Sequence, residues 1–169
     1  TKSRLVLPEI NDDEMGLSDP ASTWHAYSRV VKHLIECSHE QRTVMLDSIK
    51  KQLVPACTPP KLTMNWDDVR NLVSNNRNVE LGSHTSEHID ISRIDKNVFM
   101  SEMRVSTEAI ERETGKKAVH FSCPYSRTSD TLPVIIKNEG YLSSVSDSTD
   151  ILINRKSDPY FIGRIAGVL

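Results

Sequence analysis

The 169-residue chain predicts an α/β fold, and three observations carry that expectation. From residue 63 onward, helix-like and strand-like segments alternate with short connections, the pattern of βα units around a parallel sheet or barrel. The strand-like pieces are short and each is closed by a glycine, a proline or a polar turn. Two motifs with chemical potential, a histidine pair and a Cys-Pro-Tyr turn, each follow a strand candidate, where such folds carry their chemistry.

Residues 1–22 hold little periodicity: RLVLP reads as a short strand and INDDEMGLSDP as loop. From Trp24 the apolar residues Trp24, Tyr27, Val30, Val31, Leu34 and Ile35 fall at helical spacing. Ser38 precedes Gln41 at the spacing of a capping box, which restarts a helix carrying Val44, Leu46, Ile49 and Leu53. Residues 24–54 are therefore expected to form a helical hairpin, broken by the adjacent prolines of PACTPPK. Thr63 or Asn65 can cap a helix through about Val73, with Val69, Leu72 and Val73 on one face. Val79-Glu80-Leu81 is a strand candidate closed by Gly82. Asp95 can cap a long helix through Phe99, Met103, Ser106 and Ile110 that ends at Gly115. Ala118–Phe121 is the next strand, stopped by Cys123-Pro124. Ser129 or Asp130 opens a helix over Leu132, Ile135 and Ile136 that ends at Gly140, and Tyr141–Val145 and Tyr160–Ile165 read as strands.

Length and composition suit a single soluble domain, with 37% hydrophobic and 26% charged residues. The formal charge of −2 points to no nucleic-acid partner and no anionic membrane surface. No apolar run approaches the roughly 18 residues of a transmembrane segment. The stretch TKSRLVLPEINDDE has no signal-peptide core, and the compartment stays open because the chain begins at Thr1. Cys37, Cys57 and Cys123 form no CxxC pair, so idle or buried thiols are expected.

The stretch VELGSHTSEHIDIS places His84 and His88 four residues apart, directly after a strand candidate and Gly82-Ser83. On one face of a turn, two imidazoles at that spacing can reach one divalent metal; the alternative is a chance pair near a surface turn. His84-Thr85-Ser86-Glu87-His88 also satisfies the H-x-x-E-H pattern of a class of metallopeptidases with Glu87 as general base, a pattern that belongs inside a helix.

WDDVRNLVSNNRNVELGSHTSEHIDIS, followed by HFSCPYSRTSDTLPVIIKNEGYLSSVS, resembles the polysaccharide deacetylase family (the NodB-homology domain, carbohydrate esterase family 4) over roughly residues 62–165. The resemblance implies an incomplete or distorted (β/α) barrel of the NodB-homology type across a single domain, residues 1–169. The hairpin at 24–54 resembles an insertion found in a subset of such proteins. It implies removal of acetyl groups from an N-acetylated polysaccharide, with a divalent metal, zinc in the usual case. Carried over, His84 and His88 would be metal ligands and the Tyr125 backbone N–H an oxyanion donor, while Pro124 and Tyr125 would shape the sugar groove. Tyr125 as a half-buried packing aromatic is the alternative.

The sequence departs from that family in identifiable places. The Thr-Phe-Asp-Asp-Gly motif that supplies a base and a third ligand has no counterpart. Asp12-Asp13 is the adjacent acidic pair upstream in a loop, with Asp13 the candidate acid, and Gly16–Thr23 reads as polar turn where a strand belongs. Asp67 and Asp68 open a helix, where carboxylates favour the dipole without a catalytic role. Ser122 stands where many members carry an arginine, the last strand has Arg164 in place of a histidine, and Asp147 and Asp150 lack a partnering tryptophan. Two accounts follow: part of an active deacetylase, or a degenerate relative that binds glycan without turnover. A barrel lacking strands exposes sheet edges. Swapping, contacts between copies or placement of RLVLP in the vacant position is expected to cover them.

Overall fold

Side-chain caps start four of the helices in the computed structural model, which describes residues 3–10, 14–55, 57–58, 60–126, 131–147 and 156–164. The chain divides into two compact units, Thr1–Leu62 and Thr63–Leu169.

In the first unit, β1 (Arg4–Val6) pairs antiparallel with β2 (Glu14–Gly16), and α1 (Pro20–Glu36) and α2 (His39–Gln52) follow. The helical hairpin expected over 24–54 is present, but its first helix begins earlier. Asp19 accepts from the Ser22 N–H, Ser22 returns a bond to the Asp19 N–H, and Pro20 occupies the first turn. The Ser22 N–H, then its hydroxyl, hold the Asp19 carboxyl below the usual carboxylate range. That cap therefore stabilises the fold above the ordinary carboxylate pKa and is lost as pH falls through the lowered value. Ser38 and Gln41 form the expected capping box on α2.

Two expectations fail in this unit. EMG was expected as loop, yet it is β2, because Met15 sits opposite Leu5 and both are 3% exposed. RLVLP does not fill a place in the parallel sheet; β1 and β2 form a two-stranded sheet of their own. The helix faces also shift. Ala26 and Val30 are buried on α1 and Met45 on α2, whereas Trp24 and Tyr27 stack on each other in solvent and Val44 and Leu46 are exposed.

The second unit contains α3 (Trp66–Asn75), β3 (Gly82–Ser83), α4 (Lys96–Thr114), β4 (His120–Ser122), α5 (Leu132–Asn138), β5 (Ser143–Asp147) and β6 (Ile162–Arg164). The strands pair in parallel in the order β3-β4-β5-β6, with α4 between β3 and β4 and α5 between β4 and β5. Among the described residues this is the α/β arrangement the alternation predicted, an incomplete set of parallel strands flanked by helices. Asn65 and Asp68 form the capping box of α3, and Asp95 caps α4. The core gathers Phe99 and Met103 of α4, Phe121 of β4, Cys123, Leu132, Ile135 and Ile136 of α5, and Tyr141. Tyr141 also donates from its hydroxyl to the Met103 carbonyl at 3.3 Å, so the aromatic enters the core with its polar end satisfied.

Strands β3, β4 and β5 lie one to three residues later than their sequence periods suggest, whereas β6 falls within the expected Tyr160–Ile165. Gly82, expected to end a strand, is paired with His120 instead. A β-carbon at Gly82 would lie 3.2 Å from the His120 carbonyl oxygen, so the close approach of β3 and β4 suits glycine there. Expected helix starts at Ser129 and Asp130 lie outside the described residues, and α5 is described from Leu132. No helix among the described residues is long and apolar enough to cross a membrane.

Gly115 closes α4 with φ +69°, and a β-carbon there would meet nothing within 4 Å. Its replacement therefore costs only backbone conformation. Gly115→Ala is expected to lower stability by about 1 kcal/mol, and Gly115→Asn by less, because asparagine tolerates the left-handed region. Urea unfolding followed by circular dichroism measures both; equal stability of all three proteins would contradict this account of the helix end.

Candidate active site

Parallel pairing brings the ends of β3 and β4 level: Ser83 lies opposite Phe121, so His84 and Ser122 are the next residues on each strand. His84 Nδ1 is 2.7 Å from the Ser122 carbonyl oxygen. A carbonyl can only accept, so Nδ1 carries the hydrogen and the Nε2 lone pair is left to bind something else. The His88 ring stands edge-on to His84 with centroids 4.7 Å apart, and the Tyr125 ring stands edge-on to His88 at 4.6 Å. Three side chains named from sequence thus form one continuous row of rings.

The backbone beneath them is unusual. Thr85 (φ 64°), His88 (φ 50°) and Tyr125 (φ 52°) are the non-glycine residues with positive φ among those described, and all belong to this row or its loop. Such conformations cost on the order of 1–3 kcal/mol each and persist where the surroundings enforce them. Thr85 is 8% exposed, and its Oγ1 is buried without a hydrogen-bond partner among the described residues. The Ser86 and Glu87 N–H groups donate to one oxygen of Glu102 on α4, at 3.0 and 2.9 Å. Ser83 Oγ donates to Ser106 Oγ on the same helix at 3.0 Å.

His84-Thr85-Ser86-Glu87-His88 is a loop, not a helix. The metallopeptidase alternative, which needs both histidines in regular helical turns, loses its geometry. Asp67 pairs with Arg70 at 2.7 Å and Asp68 accepts the Asn65 N–H, the helix-start roles expected of them. Tyr125 is half-buried in the turn Pro124–Ser126, and the Pro124 side chain is fully buried beneath it. Asp12, Asp13 and Asp150 lie outside the described residues, Asp147 ends β5, and Arg164 ends β6. Cys123 is buried in the core, Cys37 half-buried and Cys57 exposed.

The donor chemistry suits a zinc-type ion in part. Both candidate ligands are imidazoles, and His84 has its second nitrogen anchored on a backbone carbonyl, the usual support for a metal-binding histidine. Among the described residues no group of three His, Cys, Asp or Glu is assembled. Of the described residues, His84 and His88 stand together there as two possible donors. Sequence reasoning missed Glu102 and the Ser122 carbonyl. Glu102 lies on α4 between Phe99 and Met103, both buried, so an acid at that point of a core helix was the legible signal.

The anchoring bond fixes a tautomer. Long-range proton–nitrogen NMR spectra of the metal-free protein above pH 7 are expected to show neutral His84 protonated at Nδ1. A signal from the Nε2-protonated form would rule out the bond to Ser122.

The polysaccharide deacetylase family model matches residues 36–143. Several solved structures share the fold. A polysaccharide deacetylase from Bacillus cereus aligns with a TM-score of 0.54 at 15% identity, covering 73% of this chain and 43% of that one. IcaB from Ammonifex degensii aligns at 0.51 and 19% identity, covering 63% and 48%. A de-N-acetylase from Aggregatibacter actinomycetemcomitans aligns at 0.50 and 21%, covering 71% and 55%. The chain thus spans about half the length of these structures, between 43% and 55%. No curated protein sequence matches it. The family model covers well over half of the residues, both strand-end motifs fall within the match, and the chain belongs to the polysaccharide deacetylase family.

Proposed function

We propose that this chain carries the metal-binding side of a hydrolase that removes acetyl groups from N-acetylated sugars of a polysaccharide. The observation that supports it most is the ring row His84–His88–Tyr125, with His84 locked by Ser122 so that one nitrogen faces away from its anchor. His84 and His88 would hold a divalent metal, and zinc suits two imidazole donors. When bound, such an ion acidifies water and polarises an acyl oxygen.

The chain's own residues then have distinct tasks. His84 presents Nε2, because its hydrogen bond to the Ser122 carbonyl places the hydrogen of the neutral ring on Nδ1. The Tyr125 backbone N–H, set in a left-handed turn, donates to the oxygen that gains charge as water attacks the acetyl carbon. The Tyr125 ring packs against His88 and forms a wall against which a sugar can lie, and buried Pro124 holds that turn in place. Glycan binding without turnover is the competing outcome.

The test is acetate release from an N-acetylglucosamine oligomer by the zinc-loaded chain. Release is expected, chelation should abolish it, and His84→Ala should reduce it by about 100-fold or more. Oligomer binding with no release would assign the chain to the non-catalytic class.

A further inference from the structure

We infer that Glu102 is the positioning residue of the ligand loop: through two backbone amides it sets the separation of His84 and His88, and with it the affinity for a divalent metal. The metal arm of this inference rests on the function proposed above; the geometric arm does not. The loop between the histidines has no helical or strand pairing of its own, and its two ends, Thr85 and His88, hold left-handed conformations unfavourable to non-glycine residues. A chain in that state relaxes unless something outside it supplies hydrogen bonds.

Glu102 supplies them. The consecutive N–H groups of Ser86 and Glu87 converge on a single carboxylate oxygen, at 3.0 and 2.9 Å. Bonds from amides to a carboxylate are stronger than those to a neutral acceptor. The position of the carboxylate is set in turn by the core, since Phe99 and Met103, on either side of it along α4, are 4% and 0% exposed. One helical turn further on, Ser106 receives the hydroxyl of Ser83 at 3.0 Å. Helix α4 therefore grips the chain on both sides of His84, before it at Ser83 and after it at Ser86 and Glu87. His84 itself is held by Ser122, and His88 directly follows the Ser86 and Glu87 amides that Glu102 binds.

A role in geometry and a role in charge predict different rankings of substitutions. Glutamine keeps an oxygen with two lone pairs at the same reach, whereas aspartate keeps the charge but is one methylene too short to reach both amides. Zinc affinity of the whole chain, measured by competition with a chromophoric chelator, is expected to fall about 10- to 100-fold in Glu102→Ala and Glu102→Asp. Glu102→Gln is expected to stay within about threefold of the parent by the same acceptor count. In the metal-free proteins, the His88 imidazole resonances and the exchange protection of the Ser86 and Glu87 amides should change in the Ala and Asp variants and not in Gln. Glu102→Asp should fold even if Glu102→Ala does not, as unfolding midpoints and circular dichroism will show. A Gln variant as impaired as Asp, or an Asp variant matching the parent in both readouts, overturns the inference. If the parent chain binds no zinc, the metal function fails by itself, and the metal-free spectra still decide whether Glu102 places the histidines.

Discussion

The parallel register of β3 against β4 is the constraint on which the site depends. Because Ser83 faces Phe121, the next residues, His84 and Ser122, leave their strands at the same level, and the Ser122 carbonyl meets the His84 ring. A slip of one residue would turn Phe121 out of the core and His84 away from Ser122, since successive side chains point to opposite faces. The register is protected by burial: Phe121 sits between Phe99 at 5.8 Å and Tyr141 at 5.6 Å, so any slip empties the centre of the core. It also requires the narrow gap at Gly82, where a β-carbon would lie 3.2 Å from the His120 carbonyl oxygen.

Helix α4 connects that core to the loop chemistry. Its buried face, Phe99 and Met103, packs beneath the sheet, while Glu102 and Ser106 reach the chain around His84. Elsewhere on α4, Arg104 forms a forked ion pair with Glu139 just beyond α5, raising the guanidinium pKa through that hydrogen bond and charge. Arg104 is largely solvated, but the Glu139 side chain is only 9% exposed and the pair is bidentate, which sets it apart from an ordinary surface ion pair. Strain and rigidity are thus arranged together: left-handed residues at Thr85, His88 and Tyr125 occur where the core, α4 and the β4 turn surround the backbone. An orphaned Thr85 hydroxyl in the same loop fits a place where local comfort is given up for the position of the rings.

Much of this was legible before any coordinates. Local rules named the capping residues Ser38, Asn65 and Asp95 and the helix end at Gly115, because a cap involves groups within a few residues. The cap at Asp19 followed the same rule, but the polar composition around it read as turn. Strand ends were less legible. Val79–Leu81 has the right residues, yet the ladder forms at Gly82–Ser83, since a strand exists where a partner is opposite and the partner begins at His120. The buried faces of α1 and α2 were read only in part: Val30, Leu34, Ile49 and Leu53 pack as their spacing suggested, but Trp24, Tyr27, Val44 and Leu46 face solvent while Ala26 and Met45 are buried.

By itself the sequence determined the alternation of helix and strand, the family, and the residues His84, His88 and Tyr125, because spacing and turn chemistry are written in short stretches. Only the tertiary structure decided that those residues form one row of rings, which His84 nitrogen is anchored, and that Glu102 binds the loop between the two histidines. Apart from the His84–His88 pair, those contacts join positions 15 to 38 residues apart, and their partners are selected by strand register and helix packing, which no local pattern specifies.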